Sequence, residues 1–308
     1  MEDAGAGVLV VDKPAGPTSH DVVDAVRKAL GLRRVGHTGT LDPFATGVLP
    51  VCLGRATRLA RFLGEGDKVY RATVRLGFAT TTDDATGAPL GEPRPFRGDQ
   101  EAIASALQAL TGTFAQVPPA YSARRVGGRR LYELARRGEA VPGRARPVTV
   151  RALTLLGASG ETLDIEVRCT PGTYVRALAR DLGTSLGVGG HLTALRRLRS
   201  GDFGLEEAVS LESLAKEGRA RAIPMARLLP HVPAVHVGAE GEAAVRHGRG
   251  LNRGLVIAGF PTAGEARFRV LSAEDGRLLA LAVPRGFGAP VAGLPMEPVL
   301  QPDVVLVG

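Results

Sequence analysis

Asp42 is the one acid in the stretch GHTGTLDPFATGVLP (residues 36–50), and its neighbours suit a carboxylate that is being presented. Gly36, His37, Thr38, Gly39 and Thr40 precede it; Pro43 and the apolar run Val48–Leu53 follow. Glycines allow unusual backbone angles and close approach of a ligand. Pro43 fixes its own φ and pushes Asp42 toward an extended conformation, so the backbone aims the side chain. A carboxylate so placed can attack as a nucleophile or stabilise developing positive charge. Asp-Pro and Thr-Gly pairs are also ordinary turn material, and the residues alone leave both readings open.

The elements that must hold this loop can be read from periodicity. GVLVVDK (7–13) predicts a buried strand, and Thr18 with Asp21 predicts a capping box opening a helix that runs to about Leu30. Strands are expected over Val48–Leu53, Tyr70–Leu76, Val148–Leu156 and Thr162–Cys169, with short or longer helices near Ala56–Leu63, Gln100–Leu110, Tyr174–Leu186 and Leu211–Leu229. The order lacks the regular rhythm of a doubly wound sheet, so an α+β fold is expected. Beyond about residue 233, short β-branched runs separated by Gly, Pro and Asp turns suggest a small β domain.

Whole-chain properties narrow the function classes. With 308 residues the chain can bury a large core and divide into two domains. A formal net charge of +8 favours a polyanionic partner. Only Lys13, Lys28, Lys68 and Lys216 are lysines, so nearly all the basic residues are arginines, whose planar fork suits phosphate. Residues 124–151 concentrate nine arginines against Glu133 and Glu139, which fits either a solvated helical face or an RNA grip. Cys52 and Cys169 lie in apolar segments without metal-ligand spacing, as free thiols of a reducing cytoplasm would. The start of the chain does not resemble a secretory signal, and no apolar run approaches the roughly 20 residues that span a bilayer. A cytoplasmic protein with no membrane contact is expected.

Five segments in order carry a family resemblance. GHTGTLDPFATGVLPVCLGRATRL (36–59) resembles the catalytic segment of the TruB family of pseudouridine synthases, which isomerise a uridine in the T arm of transfer RNA. VDKPAGPTSHDVV (11–23) resembles that family's N-terminal motif, KVYRATVRLG (68–77) its tyrosine-bearing strand, and GTYVRALARDLG (172–183) its arginine-bearing helix. PPAYSARRVGGRRLYELARRG (118–138) resembles the RNA-gripping segment of the stand-alone bacterial enzymes.

The resemblance implies a set of roles. Asp42 would be the catalytic aspartate, Arg176 the arginine that keeps it ionised, and Tyr70 the ring that stacks on an everted uracil. Leu195 would wall the pocket, His37 would brace the flipped nucleotide, and Lys13 would support the loop or touch substrate. Arg129, Arg130, Arg136 and Arg137 would grip the RNA backbone. Without the resemblance, Arg176 fits an exposed helix face and Tyr70 a core aromatic.

The implied fold is a mixed, mainly antiparallel sheet flanked by helices and loops over residues 1–230, with the gripping insertion at about 118–147. A small PUA-like β-barrel domain would follow over 233–308. The implied reaction is isomerisation of T-loop uridine 55 by base flipping, with no cofactor, no metal and no obligate protein partner. The partner would be a T-arm stem-loop and the enzyme a monomer. Two alternatives remain: a guide-RNA-dependent catalytic subunit, and a non-catalytic tRNA-binding or folding protein.

Overall fold

The structure is a computed structural model that describes residues 5–98, 100–121, 125–126, 129–130, 143–260, 265–286 and 299–307. Ten strands form the main sheet. Along its principal path the order is Ile223–Pro224, Gly7–Lys13, Thr46–Leu53, Gly190–Ser200, Lys68–Leu76, Thr162–Cys169, Arg146–Ser159 and Gly112–Gln116. Val35–His37 pairs with Thr46–Leu53, and Phe203–Gly204 with Gly190–Ser200. Gly190–Ser200 runs parallel to Thr46–Leu53; the other ladders of this sheet are antiparallel.

The apolar runs of the first strands are explained by burial on both faces. Leu9, Val11, Leu49 and Val51 point into the large core beneath the helix Ser19–Leu30. Their alternates Val8, Val10, Val48 and Cys52 enter a second core on the opposite face. Lys68–Leu76 alternates instead, burying Tyr70, Ala72, Val74 and Leu76 while Arg71 and Arg75 stay exposed. The helix Ser19–Leu30 starts at Thr18 with the expected reciprocal cap: Asp21 N–H donates to Thr18 Oγ1 (3.1 Å) and Thr18 N–H to Asp21 Oδ2 (2.8 Å).

Three expectations are corrected. Leu211–Leu229 is not one helix; Leu214–Arg221 is α-helical, Ile223–Pro224 then pairs with Gly7–Val8, and a 3-10 turn follows at Met225–Arg227. Pro224 biases the residue before it toward extended backbone, which ends the helix. Gly190–Ser200, read as no element from sequence, is a central strand. Ala239–Arg246 adds a helix to the C-terminal part, whose five strands run in the order Val256–Ala258, Ala234–Val237, Phe268–Ser272, Leu278–Arg285 and Val299–Val305. Among the described residues this sheet is open, with Val256–Ala258 and Val299–Val305 as its edges and a single bridge from Leu251 to Leu300 reaching toward closure.

The C-terminal sheet has its own core around Val235, Phe268, Val270 and Ala280, and it shares a second one with the main sheet. Leu278, Leu281, Val304 and Leu306 pack with Val8, Val10, Val48, Cys52, Leu59 and Phe62. Polar contacts join the same surfaces. Arg55 and Arg58 donate to the carbonyls of Leu306 (2.9 Å) and Val305 (2.5 Å), and Asp303 accepts from Arg61 (3.1 Å) and Arg267 (3.4 Å). The guanidinium groups of Arg61 and Arg267 stand 4.4 and 4.3 Å from the ring centre of Phe62. Among the described residues, no helix is long and apolar enough to cross a membrane.

Candidate active site

Asp42 sits in the loop 38–45 that joins the antiparallel strands Val35–His37 and Thr46–Leu53. Buried donors pin that loop by its backbone. Ser19 Oγ accepts from Leu41 N–H (2.9 Å) and donates to Leu41 O (3.1 Å). The Lys13 ammonium donates to the carbonyls of Pro14 (2.9 Å), Pro43 (3.0 Å) and Ala45 (2.7 Å). Arg197 donates to the carbonyls of Gly39 (3.1 Å), Thr40 (3.4 Å) and Val48 (2.7 Å). The side chain of Asp42 is thus set by a backbone held at both ends.

Gly47 makes the Arg197 clamp possible. It pairs with Arg197 in the parallel ladder at φ +101°, and a Cβ there would collide with the Arg197 carbonyl. Arg196 anchors the same strand from its other side through a bidentate pair with Asp12 (3.0 and 2.7 Å).

One guanidinium holds the Asp42 carboxylate. Arg176 Nη2 donates to Asp42 Oδ1 (3.2 Å), and its Nε stands 2.8 Å from Oδ2 as an ion pair off the N–H axis. The same group donates to the carbonyls of Thr82 and Tyr121 (both 2.9 Å) and lies 3.4 Å from Asp84 Oδ2. Asp84 is itself fixed by Thr82 Oγ1, Thr86 N–H and Thr86 Oγ1. Arg176 occupies the first turn of the helix Val175–Ser185 and is 4% exposed, so it is not a surface arginine. Gln116, buried on the sheet edge, brackets the start of that helix by hydrogen bonds to Tyr174 N (2.9 Å) and O (3.1 Å).

These groups border a cavity of about 340 Å³ lined by Asp42, Tyr70, Arg176 and Leu195, together with Lys68, Arg197, the segment 38–41 and the segment 170–175. Its size is at the small end for ligand cavities. Burial pushes the Asp42 pKa up, while the Arg176 charge and hydrogen bond pull it down. Burial also raises the Tyr70 phenol, and the Arg197 charge opposes that rise. Burial lowers Lys13 and Lys68 to about 8 each.

The structure brings Asp42, Tyr70, Arg176 and Leu195 together in one wall. Lys13 and His37 lie outside the lining. Lys13 gives its ammonium protons to the carbonyls of Pro14, Pro43 and Ala45, an arrangement that supports the loop. His37 packs edge-on against His20, with ring centres 5.5 Å apart, and its buried Nδ1 has no hydrogen-bond partner. Arg129 and Arg130 form a strand paired with Arg125–Val126. Arg136 and Arg137 lie outside the described residues.

Sequence reasoning did not find Lys68, Asp84, Arg197 or Ser19. Asp84, Arg197 and Ser19 act on residues distant in the chain, Lys68 bonds only to nearby carbonyls, and only the RR pair beside Leu195 offered a signal. No group of three or more His, Cys, Asp and Glu able to hold a metal ion occurs among the described residues.

Known proteins match the chain in sequence and in fold. The family model described as "TruB family pseudouridylate synthase (N terminal domain)" matches residues 27–175, which include Asp42 and Tyr70. The "tRNA pseudouridylate synthase B C-terminal domain" model matches residues 176–230, beginning at Arg176. The tRNA pseudouridine synthase B of Thermobifida fusca is 48% identical over 295 residues, covering 92% of this chain and 97% of that protein. Its counterpart in Aromatoleum aromaticum is 46% identical over 275 residues, covering 88% and 89%.

Among solved structures, a Cbf5–Nop10–Gar1 complex is 29% identical with a TM-score of 0.73, covering 99% of this chain and 86% of that one. An H/ACA ribonucleoprotein bound to a substrate RNA containing 2'-deoxyuridine gives a TM-score of 0.73 at 26% identity, over 100% and 87%. With an aspartate loop, a paired arginine and a tyrosine strand all inside the matched region, the chain belongs to the TruB family of pseudouridylate synthases.

Proposed function

We propose that the protein is a stand-alone tRNA pseudouridine synthase that isomerises uridine 55 of the T loop. The observation that carries this reading is the Asp42–Arg176 pair on the wall of a cavity shared with Tyr70 and Leu195. The base must leave its stack to reach such a cavity, at a cost of about a few kcal/mol. Asp42 acts on the everted nucleotide as nucleophile or as the counter-charge to C1′, and Arg176 keeps it ionised. Tyr70 stacks on the uracil and Leu195 faces it. His37 braces the flipped nucleotide from behind the loop, and Lys13 holds the loop itself.

Arg129, Arg130, Arg136 and Arg137 grip the phosphate backbone, while the folded shape of the arm and its looped-out bases give specificity. Residues 1–230 form the catalytic domain and 233–308 a PUA-like RNA-binding domain whose strands wrap toward a barrel. The enzyme acts as a monomer on the cytoplasmic tRNA pool.

A bare T-arm hairpin tests the reading. The purified protein is expected to convert its target uridine without change of mass, detected by carbodiimide-blocked reverse transcription. Inactivity without a guide RNA would favour the guide-dependent alternative. Asp42→Asn should abolish product while RNA affinity stays within a few-fold, and substantial residual turnover would remove Asp42 from its role. Binding without conversion by the unaltered protein, on hairpin and full tRNA alike, would favour the RNA-folding alternative.

A further inference from the structure

Two cations of the cavity wall lack a carboxylate to answer them. Lys68 and Arg197 both line the cavity and retain only 5% and 1% exposure. Arg176, by contrast, is held by Asp42 and Asp84. Lys68 donates to the carbonyls of Gly64 (3.0 Å) and Gly66 (2.7 Å), and Arg197 to those of Gly39, Thr40 and Val48. Asp67, the acid next to Lys68 in sequence, is taken by Arg151 and Arg168. Among the described residues, then, two buried positive charges are met by carbonyl dipoles and by no ion pair.

Burying a charge without a counter-charge is costly, and two in one wall more so. Fixed cations in a water-poor pocket are worth most where negative charge develops during a reaction. The isomerisation proposed above develops it on the base. When the C1′–N1 bond breaks, its electron pair passes to the uracil ring and spreads over O2 and O4. The pair returns as the new C5–C1′ bond, the C5 proton leaves, and N1 takes up a proton. Should Asp42 add to C6 first, charge collects on the same O4.

We propose that Lys68 and Arg197 form a cationic seat for the detached uracil and stabilise the negative charge on its carbonyl oxygens during the rearrangement. The inference rests on the pseudouridine synthase reading and adds two catalytic residues to it. Lys68 and Tyr70 share one face of their strand, and Arg197 stands opposite Tyr70 on the paired strand, so the seat adjoins the stacking ring. The groups facing the Lys68 ammonium are Arg197 from the strand on one side, Cys169 from the strand on the other, and Asp67 beside it. Burial lowers it to about 8, so the charged form is present below that pH and lost above it.

Single-turnover rates of C1′–N1 cleavage, followed as loss of the N1-linked nucleoside from T-arm hairpins carrying uridine or 5-fluorouridine, test the seat, because fluorine stabilises the base anion by itself and the missing C5 proton affects only the later step. Turnover of uridine by the unaltered enzyme checks the underlying reading separately. Lys68→Met is expected to slow uridine by about 10²-fold, the effect typical of one lost charge-stabilising donor. Hairpin affinity should stay within a few-fold, and the loss on 5-fluorouridine should be about tenfold smaller. Equal losses on the two bases, or none on uridine, overturn the proposal. Lys68→Arg, which keeps the positive charge, should keep most of the rate on uridine. A loss in Lys68→Arg as large as that expected for Lys68→Met overturns it too, even where Lys68→Met fails to fold.

Discussion

At the scale of single residues, the balance around Asp42 decides activity. Burial raises its pKa, and Arg176 opposes that with charge and a hydrogen bond. The ionised carboxylate is the working form, so activity is present above the Asp42 pKa and lost as pH falls through it. The acid limb of kcat/KM should lie above the usual carboxylate value of about 4. Arg176→Met removes both the charge and the hydrogen bond and should move that limb further up; an unmoved limb would show that Arg176 does not hold Asp42 ionised. The residues that meet here were readable only in part. Asp42, Tyr70, Arg176 and Leu195 sit in segments with local signatures of their own. Asp84 and Lys68 do not, because an acid in a threonine-rich turn and a lysine opening a strand look like surface residues until the turn closes on Arg176 and the strand enters the core.

At the scale of elements, the strand Gly190–Ser200 organises the site and was the least legible. Its three arginines in four residues obscure a period of two: Leu195 and Arg197 face the cavity, while Arg196 turns the other way to Asp12. Strands with one chemical type per face, such as Lys68–Leu76, could be read directly. Helix ends were legible where a side chain caps them, as Thr18 does, and illegible where pairing with a distant strand takes over, as at Ile223. The parallel contact of Gly47 with Arg197 gives a sharp expectation. Gly47→Ala meets both a positive φ and the Arg197 carbonyl, so it should destabilise by about 2–4 kcal/mol in denaturant unfolding. A loss well under 1 kcal/mol would mean the two strands can part there at little cost.

At the scale of the whole molecule, the two sheets are not independent. Leu278, Leu281, Val304 and Leu306 cover Val8, Val10, Val48 and Phe62, residues of the strands and short helix that flank the aspartate loop. Each side chain uncovered forfeits on the order of 1–2 kcal/mol, and together they rival the whole stability of a domain, about 5–15 kcal/mol. Truncation after residue 232 should therefore lower the melting temperature markedly and expose dye-binding apolar surface; an unchanged melting curve would show that this shared packing contributes little. The sequence could not show that sharing, since a two-sided strand looks the same whatever covers its second face.

That geometry also leaves the protein with an internal sentinel. Cys52 faces the C-terminal sheet and Cys169 the opposite core, both fully shielded, with their thiols pushed up to about 12 and 11. Alkylating reagents should label Cys52 as often as the C-terminal sheet lifts away and Cys169 as often as the remainder opens. The ratio of the two rates would time the parting of the halves, with no residue replaced.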